Sequence, residues 1–202
     1  MTASQVLAAL KAGNARYVTR LSDGQAAAAP VLTQDHDPIA IILGCSDARV
    51  PVEIVFDQSL GDLFVIRVAG NVVAPSQIGS VEFAVEKFAT KLVVVLGHSQ
   101  CGAVTACVDA LINPAHYTAN LQSIVDRIRP SVLNLYEIAS AKYNEVDIAK
   151  LTAKSIRANV RMSVGQLKSA SQFLEELVRE GELMIVGAHY DLATGEVEFF
   201  DS

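Results

Sequence analysis

Cys45, Asp47 and Arg49 stand at alternate positions in the stretch GCSDARVP, and His98 and Cys101 stand close together in a later one, GHSQCGAV. Two thiolates and an imidazole are donors that a tetrahedral ion such as zinc takes. Three protein ligands with one exchangeable position is the pattern of a catalytic site rather than a closed structural one. Asp47 can fill the fourth position or leave it to water. Arg49 can grip that carboxylate with two parallel hydrogen bonds, which would hold it off the metal and leave it free to orient a nucleophile. Zinc in such a place makes hydroxide available near neutral pH. Two thiolates cancel the charge of the ion, so its water should be less acidified than at an all-histidine site, where the pKa falls to about 7. Activity is then expected to rise on the alkaline side.

Other chemistries fit less well. GHSQC begins like a nucleophile elbow, but Cys101 replaces the final glycine, which argues against a serine hydrolase. Neither stretch holds a C-x-x-C redox pair, and the lysine and hydroxyl of a phosphate-binding loop are missing. Cys107 reads as a small buried hydrophobe on an apolar helix. His189, alone on its stretch, reads as an ordinary histidine.

The elements that must position these residues are short apolar runs. IAIIL (39–43), LFVIRV (63–68), KLVVVL (91–96) and LMIVGAHY (183–190) are nearly continuous, as strands covered on both faces of a parallel sheet require. Both chemical stretches follow such runs, and each opens on a glycine, Gly44 or Gly97, expected to let the backbone turn as it leaves the sheet. Ligands bind outside the carboxyl ends of parallel strands where the strand order reverses, so both stretches should meet in one crevice. SQIGSVEFAVEKFA supplies the helix of a right-handed crossover. Thr2 and Gln5 form a capping box for an opening amphipathic helix, residues 22–38 read as a loop or arm, and EVEFF closes an edge hairpin. Beyond residue 101 the chain turns mostly helical, with an interruption expected at Pro130. The fold class expected is α/β, a mostly parallel central sheet flanked by helices, with an N-terminal helical arm and a C-terminal antiparallel edge hairpin. A single domain is expected over residues 1–202, with helix and arm in 1–37 and the core in 38–202.

Composition agrees. Of 202 residues, 51% are hydrophobic and 19% charged, enough for one sizeable core in a globular chain. A net charge of −6 argues against a nucleic-acid partner. No membrane span and no leader is evident, which makes the cytoplasm the expected location. Three cysteines, unevenly spread, make no disulfide framework.

With those residues in view, the chain resembles the β-class carbonic anhydrases, from CSDARVP through GDLFVIRVAGN and SVEFAVEKF to GHSQCGAV, and more weakly in VGAHYDLATGEV. The resemblance implies a zinc enzyme, one ion per chain, that interconverts carbon dioxide and bicarbonate. It implies Cys45, His98 and Cys101 as ligands, and Asp47 with Arg49 as a catalytic dyad orienting the metal-bound hydroxide. Asp47 would join the ligands only in a closed state. One subgroup closes that way, with a tryptophan three residues before the first cysteine; Ile42 stands there, and the chain has no tryptophan. The open arrangement is therefore expected, with Arg67 resembling the arginine of an anion-regulatory pocket. The open subgroup lines its substrate pocket with a glutamine, a phenylalanine and a tyrosine. Phe64 matches the phenylalanine, Phe83 replaces the tyrosine, and His36 stands in the glutamine's place with Gln34 as a displaced substitute; Gly102 completes the expected substrate contacts. A homo-oligomer, dimer or tetramer, is implied, with the N-terminal helix embracing the neighbour.

Two rival readings keep the same metal. The site could hydrolyse carbon disulfide or carbonyl sulfide, or the protein could hold zinc for binding alone. A carboxylate kept in reserve beside Arg49 favours catalysis.

Overall fold

The computed structural model describes residues 1–25, 36–113, 117–142, 146–169 and 171–200. Helix α1 (Ala3–Ser22) starts at the capping box, with Gln5 N–H on Thr2 Oγ1 and Thr2 N–H on Gln5 Oε1. Strands β1 (Ala40–Gly44) and β2 (Leu63–Arg67) flank the short helix α2 (Val52–Val55). A 3-10 turn (Ala69–Asn71) then leads into α3 (Pro75–Phe88) and β3 (Leu92–His98). Helices α4 (Gly102–Ile112), α5 (Ala119–Lys142), α6 (Ile148–Lys168) and α7 (Gln172–Arg179) follow. Strands β4 (Met184–Tyr190) and β5 (Val197–Phe200) close the described chain.

The strand order is β2-β1-β3-β4-β5; the first four are parallel and β5 runs antiparallel on β4. This is the expected α/β architecture. From β1 the chain steps to β2 on one side, then returns to β3 on the other. The carboxyl ends of β1 and β3 therefore border the point where strand order reverses, which in open parallel sheets is where a crevice forms.

Alternation along the strands sends side chains to opposite faces. Ile42, Val94, Leu96 and Val186 pack with Val6, Leu10 and Tyr17 of α1. Ile41, Leu43, Val93, Val95 and Ile185 pack with α3, α6 and α7 through Val81, Val160, Val164, Leu167 and Leu174. A third cluster joins α4, α5 and α6 beside the ends of β1 and β3, and it contains Cys45 and Cys101.

Two expectations are corrected. Gly44 and Gly97 do not make the turns out of the sheet: both lie within strands, and the left-handed residue in the second stretch is Gln100 (φ 58). Gly97 is small because helix α6 crosses it; a Cβ there would stand 2.5 Å from Val160 Cγ2. Helix α5 is not interrupted at Pro130 but runs through it. Proline removes only one backbone donor, and Val125, Ile128 and Val132, buried on both sides of it, hold the helix in place. The apolar face of α1 packs on its own sheet through Val6, Leu10 and Tyr17. Asn14 secures it: Nδ2 donates to Val55 O and Gly195 O, and Oδ1 accepts from Val197 N–H.

Gln34 and most of the arm lie outside the described residues. Among those described, no helix is long and apolar enough to cross a membrane.

Candidate metal centre

Cys45 follows β1 directly, His98 is the last residue of β3, and Cys101 caps the start of α4. Register accounts for their meeting. Gly44 pairs with Leu96, so the neighbouring strand carries His98 just past the level at which β1 delivers Cys45. The three donor atoms lie within 4.8 Å of one another, and the residues are 6%, 0% and 1% exposed.

The histidine is oriented from behind. Its Nδ1 stands 2.9 Å from Ser99 O, a contact that only an Nδ1–H can make as donor. That assigns the lone pair to Nε2, which is buried without a partner among the described residues. A buried acceptor left bare is unfavourable unless something meets it.

The two thiols are hydrogen-bonded to each other. Cys45 is pushed down to about 4, first by the hydrogen bond from Cys101, against burial, and further by the N–H groups of Gly70 and Asp47. Cys101 is pushed far up by the same contact, by burial and by the charge on Cys45. The first amides of α4, on Ala103 and Val104, pull it the other way. A divalent cation would replace the proton of that hydrogen bond and leave both sulfurs as thiolates. Bare nitrogen, paired sulfurs and enclosure fit a metal of the zinc kind.

Asp47 stands outside this donor group and is held by Arg49. Nη2 donates to Oδ2 at 2.7 Å, Nε to Oδ1 at 3.0 Å, and the Arg49 backbone N–H to Oδ1 at 2.9 Å. Hydrogen bonding from the guanidinium holds the carboxyl well below the usual range, despite some burial. Arg49 Nη1 also reaches Gln100 Oε1 at 3.5 Å, which links the two stretches.

A family model described as "Carbonic anhydrase" matches residues 40–197, most of the chain and every residue of this cluster. The chain belongs to the β-class carbonic anhydrase family. It is an enzyme family, of lyases, and two of its relatives match across most of their lengths. A carbonic anhydrase of Mycolicibacterium smegmatis is 39% identical over 194 residues, covering 94% of this chain and 89% of that one. Carbonic anhydrase 2 of Mycobacterium tuberculosis is 35% identical over 201 residues, covering 96% and 90%. Among solved structures, one of two tetrameric β-carbonic anhydrases from Sordaria macrospora superposes with a TM-score of 0.71 at 21% identity, covering 98% of this chain and 93% of that one. A Coccomyxa β-carbonic anhydrase in complex with acetazolamide gives 0.64 at 24%, covering 96% and 81%. At those identities the structures speak for the fold.

The residues expected to serve a β-carbonic anhydrase pocket are placed unevenly. Gly102 opens α4 with nothing within 4 Å of where a Cβ would stand. Arg67 is turned to the ligand loop, with Nε donating to Cys45 O at 2.8 Å and Nη2 to Asp47 O. Phe64, Phe83 and His36 form a separate aromatic cluster with Phe88. His36 meets Phe88 edge-on at 4.8 Å, and Phe64 lies 6.1 Å from Phe83. Phe64 pairs with Ile41, three residues before the end of β1, roughly 10 Å back along the strand from Gly44, the residue before Cys45. Phe83 is 53% exposed.

Cys107 is buried, its thiol directed at Val125 O and pushed up to about 11 by burial, as a small hydrophobe would be. His189 is half-buried opposite Gly97, held below its ordinary range by burial and by Arg157, and it is not in the donor group. Sequence reasoning passed over Gln100 and Gly70, both of which touch the centre. The turn-forming pair Gly70–Asn71 after an apolar run was the available signal for one; Gln100 had none.

Proposed function

We propose that this enzyme interconverts carbon dioxide and bicarbonate, with Cys45, His98 and Cys101 holding one zinc ion per chain and Asp47 and Arg49 positioning the attacking oxygen. The observation that carries this is the bare, buried Nε2 of His98, gathered with the Cys45 and Cys101 sulfurs into one donor group whose atoms lie within 4.8 Å of one another. Zinc, when bound, supplies a Lewis acid that makes water nucleophilic near neutral pH.

The protein residues do the rest. Pinned and ionised, Asp47 can only accept hydrogen bonds. It takes one from the attacking oxygen and so turns a lone pair of that oxygen toward the substrate carbon. Arg49 keeps both carboxylate oxygens occupied and thereby keeps Asp47 from closing onto the metal, the open arrangement. Arg67 holds the Cys45 and Asp47 carbonyls, fixing the loop that carries both a ligand and the dyad; a regulatory anion would have to compete for it. Gly102 leaves room for substrate beside the start of α4.

The aromatic wall comes from a second copy in this reading. Phe64 sits too far back along β2 to line its own centre, Phe83 of α3 and His36 before β1 cluster with it, and β2 is an edge strand whose neighbouring Phe83 is exposed. A homodimer is the minimum unit in this reading, and a tetramer, the form named for the Sordaria macrospora β-carbonic anhydrases of like fold, is the larger alternative. Light scattering at low concentration tests this. The location proposed is the cytoplasm, where buried free thiols stay reduced.

The function is tested by stopped-flow assays of carbon dioxide, carbonyl sulfide and carbon disulfide on protein of known zinc content. Turnover of carbon dioxide far above the other two is expected. Preference for a sulfur substrate would move the protein to the hydrolase reading, and no turnover at full zinc would leave a binding protein.

A further inference from the structure

Helix α6 buries polar side chains where apolar ones would fill the space as well. Leu151, Ile156, Val160, Val164 and Leu167 fill the core, yet Ser155, Asn159 and Ser163, spaced one turn apart on one face, are each 0% exposed. Burying an amide and hydroxyls is unfavourable unless they are hydrogen-bonded to something that needs holding. Two of the three hold one short segment: Asn159 Nδ2 donates to Gly70 O at 2.7 Å, and Ser163 Oγ donates to Asn71 O at 3.1 Å.

That segment is a tight turn closed by Asn71 N–H on Val68 O at 3.0 Å. Gly70 takes φ 71 and ψ 17, the left-handed corner that goes with one of the two orientations of the central peptide in such a turn. This peptide carries the Gly70 N–H, and it donates to Cys45 Sγ at 3.4 Å. In the other common turn the same peptide is rotated by about 180° and would offer the sulfur a carbonyl oxygen instead. A side chain at Gly70 is excluded besides, since a Cβ would stand 2.8 Å from Ile128 Cδ1 and 3.1 Å from Ala103 Cβ.

We infer that Asn159 is a positioning residue for the metal centre: by holding the Gly70 carbonyl, which belongs to the next peptide along, it anchors Gly70 itself and so keeps the N–H of that residue aimed at Cys45 Sγ. The inference deepens the proposed function and rests on its reading of Cys45 as a ligand. An N–H on a coordinating sulfur draws off electron density, making the thiolate a weaker charge donor to the metal and a poorer target for protons. Asn159 thus acts on a ligand it does not touch, through one turn of backbone.

The test uses the full chain loaded with cadmium-113 for NMR and with cobalt for absorption. In the unaltered protein a scalar coupling between cadmium and the Gly70 amide proton is expected, carried through the N–H···S bond; its absence overturns the inference. Asn159→Ala should abolish that coupling, shift the thiolate-to-cobalt band to lower energy and speed metal loss to a chelator about tenfold, the low end for changes outside the ligands themselves. Ser155→Ala, equally buried on the same face but without a bond to the turn, should leave all three unchanged. Unaltered values in Asn159→Ala, or equal changes in Ser155→Ala, overturn the inference. If Asn159→Ala does not fold, the coupling in the unaltered protein and Ser163→Ala decide, the latter with a smaller shift in the same direction; no shift there overturns it. A chain that takes up no stoichiometric metal fails the metal-site reading instead, before any variant is made, and the inference falls with it.

Discussion

Asp47 and Arg49 face each other side-on, Nη2 2.7 Å from Oδ2 and Nε 3.0 Å from Oδ1, although the arginine is half-exposed and the carboxylate largely covered. Both carboxylate oxygens are thereby spoken for. Removing the guanidinium by Arg49→Ala should free Asp47 to compete with water for the metal and lower kcat/KM for carbon dioxide hydration by about 100-fold, with metal content unchanged. Arg49→Lys should recover only part, because a point charge cannot make the paired contact. Stopped-flow kinetics on variants of measured metal content checks this; near-normal turnover in Arg49→Ala would remove the dyad.

Asp57 supplies a pH test of how α1 is held. Burial alone would raise its pKa, but hydrogen bonds from Arg16 and Arg20 outweigh it and bring the carboxyl below its ordinary value. A depressed carboxylate contributes stability that is present above its unfolded pKa of about 3.9 and is lost as pH falls through the folded value. Asp57 also sits at φ 51, which asparagine tolerates, so Asp57→Asn changes charge with little backbone strain. Urea unfolding should show the variant less stable at pH 7 by about 1 kcal/mol or less, since the pair is screened by solvent. The difference should shrink as pH is lowered below the ordinary carboxylate range. A constant difference across that range would assign the effect to something other than charge.

Gly13 marks where α1 lies closest to the chain beneath it. A Cβ there would stand 1.8 Å from Phe56 O, and a backbone carbonyl cannot swing aside as a long side chain can. Gly13→Ala should destabilise by about 1–3 kcal/mol, as overpacking does, and expose α1 to limited proteolysis before the sheet. A variant as stable and as resistant as the parent would show that α1 does not rest on α2.

The three cysteines should part company on substitution. Cys45→Ser and Cys101→Ser remove a donor from the cluster and should lower bound metal well below one per chain. Cys107→Ser alters a thiol buried in α4 and should keep full metal at some cost in stability. Elemental analysis distinguishes them, and metal loss in Cys107→Ser alone would refute the assignment.

Much of this site was legible in the sequence, because buried parallel strands are continuous apolar runs and their carboxyl ends are where a chain of this topology gathers chemistry. Cys45, His98 and Cys101 follow from that reasoning, and the Asp47–Arg49 pair follows from spacing alone. What escaped was set by packing across the chain. The third apolar run seems to end at Leu96, yet β3 continues to His98 because β4 pairs with it as far as Tyr190. Gly97 looked like a turn residue, when its smallness answers to Val160 on a helix far along the chain. Nothing in the sequence marks Asn159 and Ser163 as inward-facing; only the folded chain shows that both are buried. Phe64, Phe83 and His36 stand out in the sequence, but nothing in it marks that they gather around Phe88, back along the sheet from Cys45.

Returning zinc stepwise to chelator-stripped protein while following carbon dioxide hydration tests the central claim most directly. Activity should be absent at the start, rise in proportion to added metal and break at one ion per chain, with His98→Ala flat throughout. Hydration that persists in the stripped chain, or that fails to appear once one zinc is bound, would contradict it.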